Sequence, residues 1–440
     1  MLTKASLLLF SCCLIPSIAL AEVSIEKQIV DQVNNQLGES QDLLEKLVNI
    51  NSGTMNFAGV RQVGGILTNQ FDSIGFITQW VDGNEFDRAG HLVATYESTK
   101  NPTAPKILMI GHLDTVFAEN DDFQSVTDVG KNRLAGPGIT DMKGGDVIIF
   151  AALQALHKLG MLEQLNIKVV MTGDEESSGR PLEKSKKALV DAAIWADIAL
   201  GFEDADGDIN TAVTARRGSV GWTLKSSGNA AHSSQIFTDA VGYGAIFELA
   251  RILNDFREQL SDTPLLSFNP GIIAGGTRLS DRGSSIIESF GKRNVVAQTA
   301  IVKGGLRAVS PEQLVNTQSA MQQIVAQHLA KTDATLVFDE GYPPMQQTQG
   351  NVDLLALYSK VSVDLGYKPV SAVNPRNAGA ADISFAADHV DMAIDGLGLM
   401  GTGGHTKDEV ADMTTFAQNI QKTAVLLYRL SMFKKERQKN

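Results

Sequence analysis

The chain has little of what marks a nucleic-acid-binding protein or a fibrous scaffold. Its 440 residues carry 38 basic and 50 acidic side chains, a net charge of −12, whereas nucleic-acid grooves and anionic membranes select for lysine and arginine. Only 12 residues are proline and 40 are glycine, which excludes collagen-like repeats and long proline-rich disorder. We therefore expect a globular protein of two or three domains with neither nucleic acid nor a membrane as partner.

Cysteine is also scarce, since Cys12 and Cys13 are the only two and both lie near the start of the chain. The chain beyond them can form no internal disulfide and offers no thiolate to a metal. Any metal would therefore be bound by histidine, aspartate and glutamate side chains.

Residues 1–21 have the pattern of a secretory signal peptide. A lysine precedes an apolar stretch that ends in Ala19-Leu20-Ala21, which matches the small-x-small cleavage pattern. A membrane anchor is the first alternative, although the stretch is short and Pro16 interrupts it. Lipid attachment at one of the cysteines is the second. We expect an exported protein, periplasmic or secreted.

The apolar pattern divides the remaining chain into an interrupted domain. Strand-like runs alternate with helical stretches over residues 22–217, which predicts an α/β domain with a mostly parallel sheet. Residues 218–338 differ, since they begin with the alternating pattern of a half-exposed antiparallel strand and include a strand-like run at 294–302. They predict an inserted α+β domain, after which residues 339–440 return to the first pattern.

Five segments place histidine or acidic residues directly after an apolar run or in a glycine-rich loop. In open α/β sheets ligands bind at the carboxyl ends of the strands. The residues are His112 and Asp114 after 107–111, Asp141 within 136–145, Glu175 and Glu176 after 169–173, Glu203 after 198–202, and His405 within 401–409.

Each segment alone has an ordinary explanation. His112 is compatible with a polar strand end, Asp141 with the N-cap of the next helix, and residues 174–176 with a solvated acidic turn. An acid such as Glu203 is usually a surface residue, and the loop around His405 alone favours neither a ligand nor a surface side chain. Three consecutive acids nevertheless repel one another unless a cation compensates them.

Together the five segments form a nitrogen and oxygen ligand set that suits zinc. Five ligands exceed what one tetrahedral catalytic zinc needs, and they fit two metals that share a bridging carboxylate, with Glu175 left as a base. Strand alternation places Asp114 on the side of His112, where its carboxylate can bond the second imidazole nitrogen.

In this order and at these separations the motifs resemble a family of dinuclear zinc peptidases and amidases. Its members include bacterial glutamate carboxypeptidase (carboxypeptidase G), aminoacylase, peptidase T, acetylornithine deacetylase and succinyl-diaminopimelate desuccinylase, and the motifs are most similar to the first. The resemblance covers nearly all of the chain after residue 21. It implies a catalytic domain with a mixed, mostly parallel sheet over 22–217 and 339–440, and a ferredoxin-like lid and dimerisation domain over 218–338.

The resemblance also implies roles for the motif residues. Two Zn²⁺ ions per subunit would be bridged by Asp141, one completed by His112 and Glu203 and the other by Glu176 and His405. Glu175 matches the general base of the family, and Asp114 the residue behind the first histidine. A cis peptide is implied at Asp141–Met142.

In the inserted domain, His232 resembles the family histidine that enters the active site of the partner subunit of a homodimer. Asn294 and Arg307 resemble the pair that holds the carboxylate of the substrate, for which arginine offers a bidentate fork. A surface histidine, a turn asparagine and a strand-edge arginine are the ordinary explanations.

The chain departs from glutamate carboxypeptidases at two places. It has Asp339 and its neighbours where those enzymes tend to carry a further arginine near the end of the inserted domain, and it has 378–382 in place of a glycine-rich motif. Arg376 lies nearby in the sequence and could supply the missing charge. The departures leave the metal ligands intact and put the preference for glutamate in question.

The implied activity is that of an exported zinc exopeptidase, a carboxypeptidase. It would hydrolyse the amide bond of a peptide or N-acyl amino acid with a free C-terminal carboxylate, through a water that bridges the metals. An N-acyl amino acid deacylase and a non-catalytic exported protein that binds a metal or a small acid are the alternatives. The presence of Glu175 next to the proposed ligand Glu176 favours an enzyme, because a protein that only binds a metal or a small acid needs no general base.

Overall fold

The computed structural model describes residues 24–283 and 286–433, so the predicted signal peptide lies outside the described residues. The helices are α1 Ile25–Asn35, α2 Leu37–Val48, α3 Phe57–Ser73, α4 Gly144–Lys158, α5 Leu182–Ser185, α6 Lys187–Trp195, α7 Gly244–Leu260, α8 Pro311–Val325, α9 Gln349–Asp364, α10 Ile383–Ala386 and α11 Met413–Ser431. The strands are β1 Ile77–Asp82, β2 Gly90–Tyr96, β3 Lys106–His112, β4 Thr127–Asp128, β5 Arg133–Ala135, β6 Asn166–Thr172, β7 Ile198–Gly201, β8 Thr211–Ala212, β9 Val220–Gly228, β10 Ser267–Gly276, β11 Arg278–Asp281, β12 Ile287–Phe290, β13 Thr299–Arg307, β14 Thr332–Phe338, β15 Ser371–Ala372, β16 Met392–Ile394, β17 Gly401–Thr402 and β18 Val410–Asp412.

The central sheet has six strands in the order β1-β2-β6-β3-β7-β16. The neighbours β6, β3, β7 and β16 are parallel, whereas β1 and β2 pair in antiparallel fashion. This mixed, largely parallel sheet confirms the expected fold class. Because β6, β3 and β7 are adjacent and parallel, the residues that follow them meet at one edge of the sheet.

The main core lies between this sheet and its helices, with α4 at its centre. Helix α4 contacts α1, α2, α11 and β3, and 12 of its 15 residues are buried. A helix that is apolar on nearly every face is stable only where other elements surround it. Its surroundings fix the position of its N-terminal end, which adjoins the turn that carries Asp141.

A second, antiparallel sheet has the strand order β10-β13-β9-β14. Trp222 and Leu224 of β9 are buried, and they pack with Phe256 of α7 and Met321 of α8 in a core of their own. The alternation along β9 therefore points one face of the sheet at the two helices. This is the α+β arrangement expected for the insert, whose boundaries at 218 and 338 stay predictions.

The strand expected over 294–302 begins only at Thr299. The residues before it turn instead toward the loop that carries His232, where the amide of Ser233 donates to the carbonyl of Asn294 at 2.9 Å and that of Val296 to Ala231 at 2.9 Å. The alternating apolar residues of 294–302 fit an isolated β-bridge as well as a continuous strand, so the sequence pattern could not distinguish the two. Among the described helices, none is both long and apolar enough to cross a bilayer.

Candidate metal centre

The edge formed by the three parallel strands carries the first part of the site. His112 is the last residue of β3, Glu176 follows β6, and Glu203 follows β7. Asp141 comes from the kinked turn Ile139–Lys143 before α4, and His405 from the loop between β17 and β18. Five segments that are distant in sequence therefore converge where the sheet topology places their ends.

Asp141 lies between the two histidines. Its Oδ1 is 3.0 Å from Nε2 of His112, and its Oδ2 is 2.8 Å from Nε2 of His405. Glu203 Oε1 lies 3.7 Å from the same nitrogen of His112, and Glu176 Oε2 lies 3.3 Å from that of His405. The five side chains thus form two groups of one histidine and one glutamate that share Asp141.

The backbone around Asp141 excludes the simple N-cap explanation. The N-cap of α4 is Lys143, and the dihedral angles of Asp141 and Met142 are not helical. The Asp141–Met142 peptide is cis, which confirms the expectation from the resemblance. Asp141 is therefore directed at the histidines and does not cap the helix.

Asp114 makes contacts beyond the one with His112 that strand alternation predicts. The atom nearest to Nδ1 of His112 is the main-chain oxygen of Asp114, at 3.0 Å, while the carboxylate Oδ1 is 3.6 Å away. The buried carboxylate instead accepts from the amides of Glu175 and Glu176, at 3.0 and 3.1 Å, and from the hydroxyl of Thr54 at 2.6 Å. Asp114 therefore fixes the backbone that carries the two glutamates.

The crowding of acids shifts their proton affinities. Burial raises the pKa of Glu175 to about 8, and burial with the charge of Asp141 raises that of Glu176 to about 9. Burial also raises the pKa of Glu203 well above its usual value. Burial acts in the same sense on Asp141, but hydrogen bonds to the two histidines outweigh it and hold its pKa low. Without a compensating cation, this arrangement disfavours the ionised form of three glutamates.

The donor set fits a divalent metal. Ligand atoms of His112, Asp141 and Glu176 lie within 4.8 Å of one another, and Oε1 of Glu176 is buried without a hydrogen-bond partner. Buried polar atoms are normally paired, so this unpaired oxygen is available to a cation. Imidazole and carboxylate ligands without thiolate suit zinc and related divalent ions.

Glu409 supports the site, and sequence reasoning missed it. Its buried carboxylate accepts from the amides of Gly138 and Thr140 at 2.8 Å each, and from that of Asp141 at 3.2 Å. It therefore fixes the glycine-rich turn that presents Asp141. Its position four residues after His405 was the available signal, but no local pattern distinguishes it from a surface acid.

A buried ionic network lies behind the general-base candidate. Lys186 Nζ is 2.9 Å from Asp174 Oδ1 and 3.0 Å from Asp382 Oδ1. The hydroxyl of Tyr342 is 3.1 Å from that Asp382 oxygen and 3.1 Å from the main-chain oxygen of Glu175. Asp174, the first of the three consecutive acids, is therefore neutralised by a lysine, while the two glutamates face the metal centre.

The residues expected in the inserted domain lie at opposite ends of one sheet. His232 is exposed, and the segment that carries it bonds Asn294. Arg307 ends β13, whose eight residue steps from Thr299 span about 26 Å. The structure therefore does not bring Asn294 and Arg307 together within one chain, and among the described residues no hydrogen bond or ion pair joins His232 to the metal centre.

Replacing Glu409 tests its supporting role. We expect Glu409→Ala to leave three amides of the turn unpaired and to lower zinc affinity by about 10–100-fold, the usual cost of losing a partner behind a metal ligand. The measurement is calorimetric titration of chelator-treated protein with Zn²⁺. Glu119→Ala, at an exposed acid outside the site, is the matched control, and equal zinc affinities for the two variants would contradict the role.

Comparison with known proteins places this geometry in a family. The model of peptidase family M20/M25/M40 matches residues 108–432. Carboxypeptidase G2 from Pseudomonas sp. strain RS-16 is 24% identical over 393 residues, 88% of each chain. Aminopeptidase PepT from Bacillus cereus superposes with a TM-score of 0.70 at 18% identity, over 91% of this chain and 98% of that one. The YXEP protein of Bacillus subtilis, a dinuclear metal-binding peptidase, superposes with a TM-score of 0.61 at 14% identity, over 92% and 98%. The chain therefore belongs to peptidase family M20/M25/M40, and it is a metal-dependent hydrolase of the peptidase and amidohydrolase class rather than a non-catalytic binding protein.

Proposed function

We propose that this protein is an exported dinuclear zinc carboxypeptidase. It hydrolyses the amide bond of a peptide or N-acyl amino acid whose C-terminal carboxylate is free. Asp141 would be shared by two metal ions, of which His112 and Glu203 would hold one and Glu176 and His405 the other. An N-acyl amino acid deacylase uses the same machinery and differs only in the acyl group.

The observation that carries the proposal is the position of Asp141, with each carboxylate oxygen facing a different histidine at 3.0 and 2.8 Å. One histidine and one carboxylate on each side of a shared carboxylate is the donor set that two-metal hydrolases need. Glu175 is adjacent to the proposed metal ligand Glu176, and its amide donates to the carboxylate of Asp114. It supplies the general base that a non-catalytic metal-binding protein would lack.

The side chains divide the chemistry between them. The chemistry that bound metal ions would supply is polarisation of the scissile carbonyl and a lower pKa for the attacking water, from about 15.7 towards about 7. Glu175 accepts the proton of the attacking water and passes it to the nitrogen of the departing amine. His232 donates to the developing oxyanion, and Arg307 binds the free carboxylate.

A homodimer brings His232 to the site from the partner subunit. Phe237 lies near His232 and is 58% exposed, and its ring contacts those of Tyr243 and Phe247 at centroid distances of 5.4 and 5.6 Å. Ile246 on α7 is also exposed. An aromatic cluster open to solvent is typical of a protein interface, and its occupant in this proposal is a second copy of the chain.

Export rests on the signal-peptide pattern of residues 1–21. We expect the mature protein from the periplasm or medium to begin at Glu22 on N-terminal sequencing. A chain that retains the first 21 residues in the cytoplasm would contradict export and leave the hydrolase assignment intact.

Replacing the base separates catalysis from metal binding. We expect Glu175→Gln to keep the full metal content and to lower kcat by about 10²–10⁴-fold, because general-base catalysis is lost. Metal analysis and steady-state kinetics on N-acyl amino acids are the measurements. Glu183→Gln, at an exposed acid nearby, should behave as the wild type, and near-normal turnover by Glu175→Gln would refute the role of Glu175.

Subunit mixing tests whether His232 acts across the dimer. We expect His232→Ala to lose about 10²–10³-fold in kcat. If the histidine acts in the partner's site, random re-association of equal amounts of His232→Ala and Glu175→Gln chains restores about a quarter of the wild-type activity, since half of the dimers carry one complete site. Activity no higher than that of the two separate variants would place His232 outside the partner's site.

A further inference from the structure

Two stretches of chain join the second sheet to the rest of the molecule, and they pair with each other. Residues 216–219 lead into β9, and residues 342–345 follow shortly after the chain leaves β14. At each end of this short antiparallel pairing two residues exchange both backbone hydrogen bonds, Ser219 with Tyr342 at 3.0 Å each and Arg216 with Met345 at 2.9 and 3.0 Å. We call the two paired stretches the connecting ribbon.

The connecting ribbon is fixed against the central sheet. The buried guanidinium of Arg216 forms an ion pair at 2.8 Å with Asp395, which follows β16, and donates to the main-chain oxygen of Gly379 at 2.9 Å. The side chain of Asp395 also accepts from the amide of Glu203 at 3.3 Å. A side chain that extends from the ribbon to the metal centre therefore starts from a defined position.

Tyr342 extends from the ribbon to the general-base candidate. Its hydroxyl lies 3.1 Å from the main-chain oxygen of Glu175, 3.0 Å from Oγ of Ser178 and 3.1 Å from Oδ1 of Asp382. Its ring packs edge-on against that of Phe385, at a centroid distance of 4.8 Å. Burial, followed by the charge of Asp382, raises the pKa of Tyr342 well above its usual value. The hydroxyl therefore keeps its proton and can donate it in a hydrogen bond.

The carboxylate of Asp382 has donors of its own, which leaves the proton of Tyr342 available to Glu175. Oδ1 of Asp382 lies 3.0 Å from Nζ of Lys186, and Oδ2 accepts from the hydroxyl of Thr172 at 2.5 Å. Both partners are buried, so these contacts are protected from water. The carbonyl of Glu175 can only accept, and it therefore needs a donor such as the Tyr342 hydroxyl.

Tyr342 and Asp114 hold opposite ends of one peptide group. The amide of Glu176 donates to Asp114 at 3.1 Å, and the carbonyl of Glu175 in the same peptide lies 3.1 Å from the Tyr342 hydroxyl. Because a peptide group is planar, contacts at both ends fix its rotation. Among residues 24–283 and 286–433, no side chain forms a hydrogen bond or ion pair with the carboxylate of Glu175. The direction of that carboxylate therefore depends on its backbone.

We propose that Tyr342 is a positioning residue, whose hydroxyl orients the Glu175–Glu176 peptide, and through it the general base, from the connecting ribbon. The inference rests on the proposed function, in which Glu175 is the base. Tyr342 acts through Glu175 and touches neither the substrate nor a metal. A displacement of about 1 Å near the reacting atoms can cost about 10²-fold in rate, so the hydroxyl affects kcat more than substrate binding or metal content.

Removing the hydroxyl alone tests this role. We expect Tyr342→Phe, which keeps the ring that packs on Phe385, to lower kcat for N-acetyl amino acids by about 10–100-fold. KM and zinc content should equal those of the wild type. Tyr367→Phe is the matched control, since it removes a hydroxyl that donates to Gln421 of α11 at 2.5 Å, and it should retain the wild-type kcat. An unchanged kcat in Tyr342→Phe, or a loss of zinc from it, would overturn the role.

A double-variant cycle separates positioning from a general structural effect. If Tyr342 acts through Glu175, adding Tyr342→Phe to Glu175→Gln should not lower the residual turnover further, because residues that act as a unit are not additive. The same fractional loss of kcat in the wild-type and Glu175→Gln backgrounds would overturn the proposal.

Hydrogen exchange supplies a readout that does not depend on activity. We expect the amides of residues 174–179 to exchange faster in Tyr342→Phe than in the wild type, because the peptide loses one of its two contacts, and to be unchanged in Tyr367→Phe. Equal exchange rates in the wild type and Tyr342→Phe would overturn the positioning role. A wild type that hydrolyses no peptide or N-acyl amino acid would count against the proposed function, and the exchange rates would still decide whether Tyr342 holds this segment.

Discussion

The repulsion among buried carboxylates at one edge of the central sheet is the constraint on which the rest of the site depends. Asp141, Glu175, Glu176 and Glu203 converge there with two histidines, and burial together with the charges of neighbouring carboxylates raises the pKa of each of the three glutamates. Apolar packing cannot compensate such a cluster, since an uncompensated buried charge costs several kcal/mol. Divalent cations can compensate it, and ions bound there would lower the pKa of a coordinated water.

The sheet topology explains why the cluster forms where it does. Strands β6, β3 and β7 are parallel neighbours, so His112, Glu176 and Glu203 emerge together. The buried helix α4 holds the turn of Asp141 against them, and Glu409 fixes that turn from the segment that also carries His405. The candidate ligands are therefore positioned by the buried core and by hydrogen bonds to backbone amides, which is what a preorganised metal site requires.

The fold class and the convergence of the five motif residues could be predicted from the sequence, because strand ends and their polar neighbours are local patterns. Other features depend on contacts that no local pattern records. Glu409 accepts from amides about 270 positions earlier in the chain, and Tyr342 reaches Glu175 from the segment that leaves the second sheet. The distance between Asn294 and Arg307 could not be predicted either. They are thirteen positions apart in the sequence, and that separation gives a distance in space only when the intervening residues are known to form an extended strand.

Anomalous diffraction at the zinc edge, from crystals grown with Zn²⁺, tests the central claim most directly. We expect two peaks about 3.5–4 Å apart, one on each side of the Asp141 carboxylate, with His112 and Glu203 at one and Glu176 and His405 at the other. A single peak, or metal bound away from Asp141, would contradict it.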